Sequence, residues 1–272
     1  MTVATVSRVA LQARLEEALA AGTPVAVATV VRGEPLGAKL LVLPGEVVGS
    51  LGNELLDISV GSDARGLLAH ETSETRPYPS PGRDETVEVF IETFPPPPTL
   101  LIFGAVHVAQ PLSRFAKALG FEVIISDARA KLATAERFPD ADRIIQAWPE
   151  ETLEQVTILA NTCVAILSHD PKFDEPALVG TLNTPAAYIG AIGSRKTNDD
   201  RRRRLADAGM SEEQIARMRA PIGLDIGAAT PEEMAISILG EIIAFRRGRS
   251  GGSLTLAQGR IRGEDEPPAD TP

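Results

Sequence analysis

Val6, Val9, Ala10, Ala13, Leu15 and Leu19 are interleaved with Arg8, Gln12, Arg14, Glu16 and Glu17. That spacing predicts an amphipathic helix over residues 6–21, with Gly22 placed to stop it. Apolar runs from Val25 to Val31 and from Ala38 to Leu43 read as strands. Pro44-Gly45 is a turn, and Glu46 to Ser50 is the returning strand. A small meander with one or two helices is the simplest reading of residues 1–75. The string RPYPSPGR (76–83) is rich in turn residues, and ETVEVFIET (85–93) alternates as an edge or linking strand.

The pattern changes after Pro95-Pro96-Pro97-Pro98. Four prolines cannot donate to a ladder and favour a stiff extended spacer. Beyond them the apolar runs no longer alternate, as in parallel strands buried on both faces. TLLIF (99–103) ends at Gly104, and Val108 to Leu119 reads as a helix closed by Gly120. EVIIS (122–126) ends at Asp127. Ile144-Ile145, Val164 to Leu167 and Ala187 to Ile192 supply three more strands. Thr230-Pro231-Glu232-Glu233 places an N-cap hydroxyl, a proline and a glutamate in capping-box order, starting a helix that runs to about Arg247.

Strands alternating with helices predict a doubly wound parallel sheet, here of the Rossmann type, behind a smaller N-terminal α+β domain. The expected boundaries are residues 1–93 for the N-terminal domain, 94–98 for the proline linker and 99–250 for the Rossmann-like domain. Residues 251–272, rich in Gly, Ser, Asp, Glu and Pro, are expected to be a disordered tail.

Candidate chemistry collects at the ends of these strands. A dinucleotide fold uses one glycine for the tight turn, a second for approach to the pyrophosphate and a third for close packing of helix on strand. Here those positions hold Gly104, Val106 and Ala109, so a branched side chain stands where a phosphate oxygen would approach. Asp127, 23 residues after Gly104, has the spacing of a ribose-binding acid. His107 lies near the helix N-terminus, placed for phosphate contact or acid–base work, or as a capping group. His169 and Asp170 follow the fourth strand, at the edge where ligands of such sheets bind. Gly193, Ser194 and Arg195 close another strand-end loop and offer donors suited to a phosphate. The run Arg201-Arg202-Arg203-Arg204 reads as a solvated helix face or, alternatively, as a grip on an acidic partner. Cys163 reads as a buried small hydrophobe.

A net charge of -10 argues against nucleic acid as a partner. One cysteine excludes an internal disulfide and points to a reducing, cytoplasmic setting. No basic leader followed by an apolar run, no membrane-spanning run and no CxxC, HExxH, GxSxG or Walker pattern is evident, so no dedicated metal site is expected.

Several strings recur together: VATVV (27–31), Gly37-Ala38-Lys39, PPPPTLLIFGAVHVA (95–109), SHDPKFDEPAL (168–178), YIGAIGSRK (188–196) and APIGLDIGAATPEEMAISI (220–238). In this order they resemble the XdhC/CoxI family of maturation factors for molybdenum hydroxylases such as xanthine and carbon monoxide dehydrogenases. The resemblance implies a chaperone that binds molybdenum cofactor, protects it during sulfuration by a cofactor sulfurase and hands it to the apo-hydroxylase. It also implies a homodimer, and a cofactor-lining role for His107, His169 and Asp225, with Gly193 to Arg195 on the phosphate. A single cysteine cannot ligate the iron–sulfur clusters of a hydroxylase itself. The chain departs from the family pattern at Val106, usually glycine. It departs again at Gly49-Ser50-Leu51-Gly52-Asn53-Glu54-Leu55, which lacks the usual cysteine, and at the shortened loop Arg32 to Leu36. The alternatives are an NAD(P)-dependent oxidoreductase, whose nucleotide site Val106 would weaken, or a scaffold that binds the dehydrogenase without holding cofactor.

Overall fold

The structure is a computed structural model that describes residues 7–79 and 86–256. The chain divides between Pro96 and Pro97 into two compact units.

The first unit opens with α1 (Arg8–Ala20), whose N-cap Ser7 accepts the Ala10 N–H at 3.2 Å. Then come β1 (Val25–Arg32), β2 (Lys39–Leu43), β3 (Glu46–Ser50), α2 (Glu54–Ala69), β4 (Glu74–Pro79) and β5 (Thr86–Phe94). The strands form one antiparallel sheet in the order β3-β2-β1-β5-β4. One face carries Ala26, Ala28, Leu40, Val42, Val89 and Ile91 against Leu56, Val60, Ala64 and Leu67 of α2. The other face carries Val25, Val27, Leu41 and Leu43 against Leu11 and Ala18 of α1. Burial on both faces explains why β1 and β2 read as unbroken apolar runs.

The antiparallel unit corrects two expectations. Of the string expected as an edge or linking strand, residues 86–93 are neither, because β5 pairs with β1 on one side and β4 on the other; Glu85 lies outside the described residues. The alternation of β5 sends Val87, Val89 and Ile91 into the core beneath α2. Part of the turn-rich string 76–83 is strand. Pro77 and Pro79 lie two residues apart on the edge strand β4, so their missing N–H groups fall on the unpaired side, where no ladder needs them. Residues 80–83 lie outside the described residues, as do Val6 and residues 257–272; residues 254–256 of the expected tail form a 3-10 turn.

The second unit comprises β6 (Thr99–Phe103), α3 (Ala109–Ala118), β7 (Glu122–Ser126), β8 (Arg143–Ile145), α4 (Pro149–Gln155), β9 (Thr162–Ile166), α5 (Pro171–Leu182), β10 (Tyr188–Ala191), α6 (Arg195–Asp207), α7 (Glu212–Ala216), β11 (Met218–Arg219) and α8 (Pro231–Arg246). Every strand pair is parallel, in the order β11-β10-β9-β6-β7-β8. The chain starts in the middle, winds outward through β7 and β8, and returns past β6 to continue through β9. The winding therefore reverses between β6 and β9, and ligands of open α/β sheets bind in the crevice at that point.

Leu112 and Ala116 of α3 and Ile238, Leu239 and Ile242 of α8 cover one face of this sheet. Phe173, Ala177, Leu178 and Leu182 of α5, with Leu205 and Ile215, cover the other. The capping box at the start of α8 is present: Thr230 Oγ1 accepts the Glu233 N–H at 3.2 Å and Glu233 accepts the Thr230 N–H at 3.0 Å. The hydroxyl of Tyr188 donates to Glu241, which also accepts the Gly223 N–H at 2.7 Å, so α8 anchors the loop that follows β11. Burial raises the Tyr188 phenol well above its ordinary value, and the Glu241 hydrogen bond adds to the shift. The hydroxyl therefore stays a donor.

The four-arginine run is a solvated face only in part, with Arg203 exposed. Arg201 is 3% exposed and forms an ion pair with buried Asp174 at 2.7 Å. Arg204 pairs with Glu175 and Arg203 with Asp200, while Arg202 reaches the carbonyls of Ile215 and Met218. Arg201 and Arg204 turn onto α5 because Asp174 and Glu175 there supply their counter-charges.

Candidate functional site

The sequence-derived site residues, apart from Asp225, sit at the carboxyl ends of β6, β7, β9 and β10, on one edge of the parallel sheet. Gly104 leaves β6 with φ +103°, and a Cβ there would lie 2.9 Å from the backbone nitrogen of Ser168. The loops after β6 and β9 thus touch backbone to backbone at the winding reversal, and glycine is required for both reasons. The turn is pinned from beneath: Gly104 N–H donates to the Ser126 carbonyl at 2.8 Å, and Arg137 donates to the Ala105 carbonyl at 3.0 Å.

Beyond Ala105 the loop opens. Among the described residues, the N–H groups of Val106, His107 and Val108 meet no acceptor, and α3 has no side-chain cap. These orphan donors and the positive end of the helix dipole favour an anion. Val106 is half-buried and packs against the core beneath α3 and α8, whereas His107 is exposed.

Asp127 is 2% exposed. Its Oδ2 accepts from Ala105 N–H at 2.8 Å and from Arg129 Nη2 at 2.7 Å. Its Oδ1 accepts from the backbone N–H and Nε of Arg129, both at 2.9 Å. Burial acts to raise the Asp127 carboxyl, but the bonds from Arg129 and Ala105 outweigh it and hold the group below the usual range. Four donors occupy the sites that two carboxylate oxygens offer, so nothing is left for a ribose diol. Arg129 itself is about half exposed, and Asp170, at the end of β9, is close enough to reinforce its charge.

The loops after β9 and β10 are joined from below. Ser168 is buried and its Oγ accepts the Asp170 N–H at 3.1 Å; Asp170 caps α5 by accepting the Lys172 N–H at 3.0 Å, leaving His169 exposed. One turn further on, Asp174 meets Arg201 of α6. Arg201 also donates to the Ile192 carbonyl at 2.9 Å and to Asn198, which donates to the Gly193 carbonyl at 3.2 Å. Burial pushes the Asp174 carboxyl up to about 6 even though Arg201 pulls the other way. Ser194 caps α6, accepting the Thr197 N–H at 3.1 Å, and Arg195 is exposed.

The structure thus brings Gly104, Asp127, Ser168 and Asp170 around one crevice, with Gly193 to Arg195 on the next loop. Asp225 is exposed on the loop after β11 and makes no described contact with the other candidates. A hollow lined by Ala186, Ala187, Ile189, Arg217, Arg219 and Phe245 lies instead by the amino ends of β10 and β11. Among the described residues no three His, Cys, Asp or Glu side chains gather as a metal site, and Cys163 is buried in β9. Sequence reasoning missed Arg129 and Arg137, and missed that Arg201 pairs with Asp174. Only Arg129 carried a local signal, since an aspartate two residues earlier can bond its N–H in an Asx-turn.

Comparison with known proteins covers both units. The model of the XdhC Rossmann domain matches residues 100–242, and that of the XdhC and CoxI family matches residues 18–79. A Bacillus subtilis protein named as a probable xanthine dehydrogenase subunit is 33% identical over 167 residues, 61% of this chain and 48% of that protein. The Escherichia coli protein YqeB is 30% identical over 218 residues, 76% of this chain and 40% of that one. The molybdenum cofactor insertion chaperone PaoD of Escherichia coli is 28% identical over 153 residues, 56% and 42% respectively. Each match spans less than half of the relative's own length. A crystal structure described as a xanthine dehydrogenase from Bacillus halodurans superposes with a TM-score of 0.51 at 23% identity, covering 89% of this chain and 97% of that one. That likeness is one of fold.

Proposed function

The chain belongs to the XdhC and CoxI family, and from that premise we propose that it is a maturation factor that binds molybdenum cofactor and delivers it to a molybdenum hydroxylase of the xanthine or carbon monoxide dehydrogenase type. The observation that carries this reading is the family match across both units, reinforced by a relative named for inserting that cofactor. The partner is the apo-hydroxylase, with a cofactor sulfurase acting before it. In this reading the protein works in the cytoplasm as a homodimer.

The crevice at the β6/β9 reversal suits such a cargo. The free N–H groups of Val106 to Val108 are placed to donate to an anionic group, and His107, His169 and Asp170 stand exposed around it. Gly193 to Arg195 extend the donor set along the same sheet edge. In this reading the cargo is held through its pterin and phosphate. Ordinary NAD(P) binding is less well supported, because Asp127 has no acceptor left for a ribose diol.

The test is cofactor content. Protein purified from cells with an intact cofactor pathway is expected to carry molybdenum, measured by elemental analysis, and pterin, measured by fluorescence after oxidation. Mixing it with apo-hydroxylase should restore hydroxylase activity. Absence of both molybdenum and pterin would overturn the reading. A chain that captures the apo-hydroxylase without ever holding cofactor would be a scaffold instead.

A further inference from the structure

We propose that Arg129, held in place by Asp127, recognises a phosphate monoester on the ligand of the β6/β9 crevice. The proposal rests on the reading that this crevice takes the cofactor, and it deepens that reading by assigning the residue that selects the ligand's charged end.

The argument begins with what Asp127 no longer does. In a dinucleotide fold the acid at the end of the second strand accepts the two hydroxyls of a ribose. Here it is buried and surrounded by four donors, three of them from Arg129 and one from the glycine turn. The outermost polar group at this corner is therefore a cation rather than a carboxylate. A position that would select a neutral diol is built to select an anion.

The guanidinium geometry says which kind. Asp127 holds the Nε/Nη2 edge of Arg129 through bonds of 2.9 and 2.7 Å. Among the described residues Nη1 has no partner, and Nη2 keeps a second hydrogen. The Nη1/Nη2 end thus presents two parallel donors from a side chain already fixed in one rotamer. Two donors in one plane match two oxygens of a phosphate, and the ordering of the side chain is complete before the ligand arrives.

The surroundings agree. Asp127 bonds directly to Ala105 N–H, which puts Arg129 beside the turn whose next three N–H groups have no acceptor. Arg137 holds the other side of that turn through the Ala105 and Leu132 carbonyls. Asp170 is the competing anion, but it already accepts the Lys172 N–H as the cap of α5 and remains exposed to water. No bond between Asp170 and Arg129 has to break for a phosphate to dock.

A phosphate monoester could come from the pyranopterin of molybdenum cofactor or from the 2′-phosphate of NADPH. Two matched pairs of probes distinguish them: the oxidised pterin of the cofactor with its phosphate and after phosphatase treatment, and NADPH with NADH. Each is titrated calorimetrically into the wild-type chain and into Arg129→Gln and Arg129→Lys, after thermal unfolding has compared the three proteins. The wild type is expected to prefer the phosphorylated pterin by roughly tenfold. Arg129→Gln should bring that ratio to about one with little change in the dephosphorylated form, and Arg129→Lys, which keeps the charge without the paired donors, should keep only part of it. If the Gln variant does not fold, a full wild-type ratio in the Lys variant overturns the proposal. So does a full ratio in a folded Gln variant, or the absence of any preference in the wild type, even where cofactor is retained. A preference confined to the NADPH pair and lost in Arg129→Gln would support Arg129 as the phosphate residue while overturning the cofactor reading.

Discussion

The junctions after β6 and β10 are made of the same parts: a buried parallel strand, a glycine at positive φ and a helix of ten or more residues. They use the N-termini of those helices in opposite ways. At α6 the Ser194 hydroxyl caps the helix by taking the Thr197 N–H, while Asn198 and Arg201 hold the carbonyls of Gly193 and Ile192. At α3 there is no side-chain cap, three N–H groups are left over, and the supporting bonds fall on the outer side of the turn, through Asp127, Arg129 and Arg137. One junction, the closed one, is capped by its own side chain; the other, the open one, has no side-chain cap and is braced by Asp127 and Arg137 from neighbouring segments. An uncapped helix terminus and a capped one thus stand on the same sheet edge, with β9 between their strands.

The largest expected effect tests the glycines. At Gly104 an added methyl meets the Ser168 backbone at 2.9 Å, whereas at Gly193 its nearest neighbour is a side-chain methyl of Thr197 at 3.3 Å. Both residues need positive φ, but only Gly104 is hemmed in by backbone. Gly104→Ala should cost about 3 kcal/mol or more and Gly193→Ala about 1 to 2 kcal/mol in urea unfolding. Equal losses would show that backbone conformation alone governs both turns. Next is the buried pair under the closed junction. Arg201→Met leaves Asp174 without its partner and should destabilise by about 3 kcal/mol. The double variant Arg201→Met, Asp174→Leu should recover at least half of that loss, since an apolar pair leaves no charge buried; further loss in the double variant would contradict the account.

The contrast was only half legible in the sequence. Unbroken apolar runs, Gly104 after TLLIF, and the Thr230-Pro231-Glu233 cap are local signals, and the strands and helices they imply are present. Prolines at 77 and 79 misled, because a proline pair spaced for an edge strand looks the same as one in a turn. The two-residue β11 is too short to show any periodicity. The bracing residues were hidden for a different reason. Arg201 reaches an aspartate 27 residues away and Arg137 reaches a carbonyl 32 residues away. No pattern along the chain distinguishes an arginine that will be buried against such a partner from one that will face water. The candidate positions were readable, but which of them are left with free donors was decided by long-range pairing.

The closed junction should also respond to pH. Asp174 has a pKa of about 6 in the folded chain against an ordinary 3.8. Between those values the folded state holds a proton that the unfolded state has lost. The stability from this group is therefore full below about pH 4 and falls as pH rises to 6, by about 2 to 3 kcal/mol. Asp127 at the open junction is shifted the other way, so its contribution is lost only as pH falls below the ordinary carboxylate range. Denaturation midpoints taken at pH 4, 5, 6 and 7 should show the decline in the wild type and a flatter profile in Asp174→Asn. A decline of equal size in that variant would place its origin elsewhere.

The smallest effect examines the caps themselves. Ser194 has the extended backbone of a true N-cap, φ −68° and ψ 163°, and its hydroxyl accepts the Thr197 N–H. Ser194→Ala should therefore cost about 1 kcal/mol and speed amide exchange at Thr197. The residue at the matching position of α3 is Val108, whose backbone is already helical at φ −65° and ψ −30°. A hydroxyl placed there points along the helix rather than across its end, so Val108→Ser should gain no cap and should lose some of the burial that its side chain now has. If Val108→Ser instead stabilised α3, its hydroxyl would be taking the Gln110 N–H, since Pro111 has none to give. The lack of a cap would then be owed to the choice of one side chain rather than to the path of the backbone.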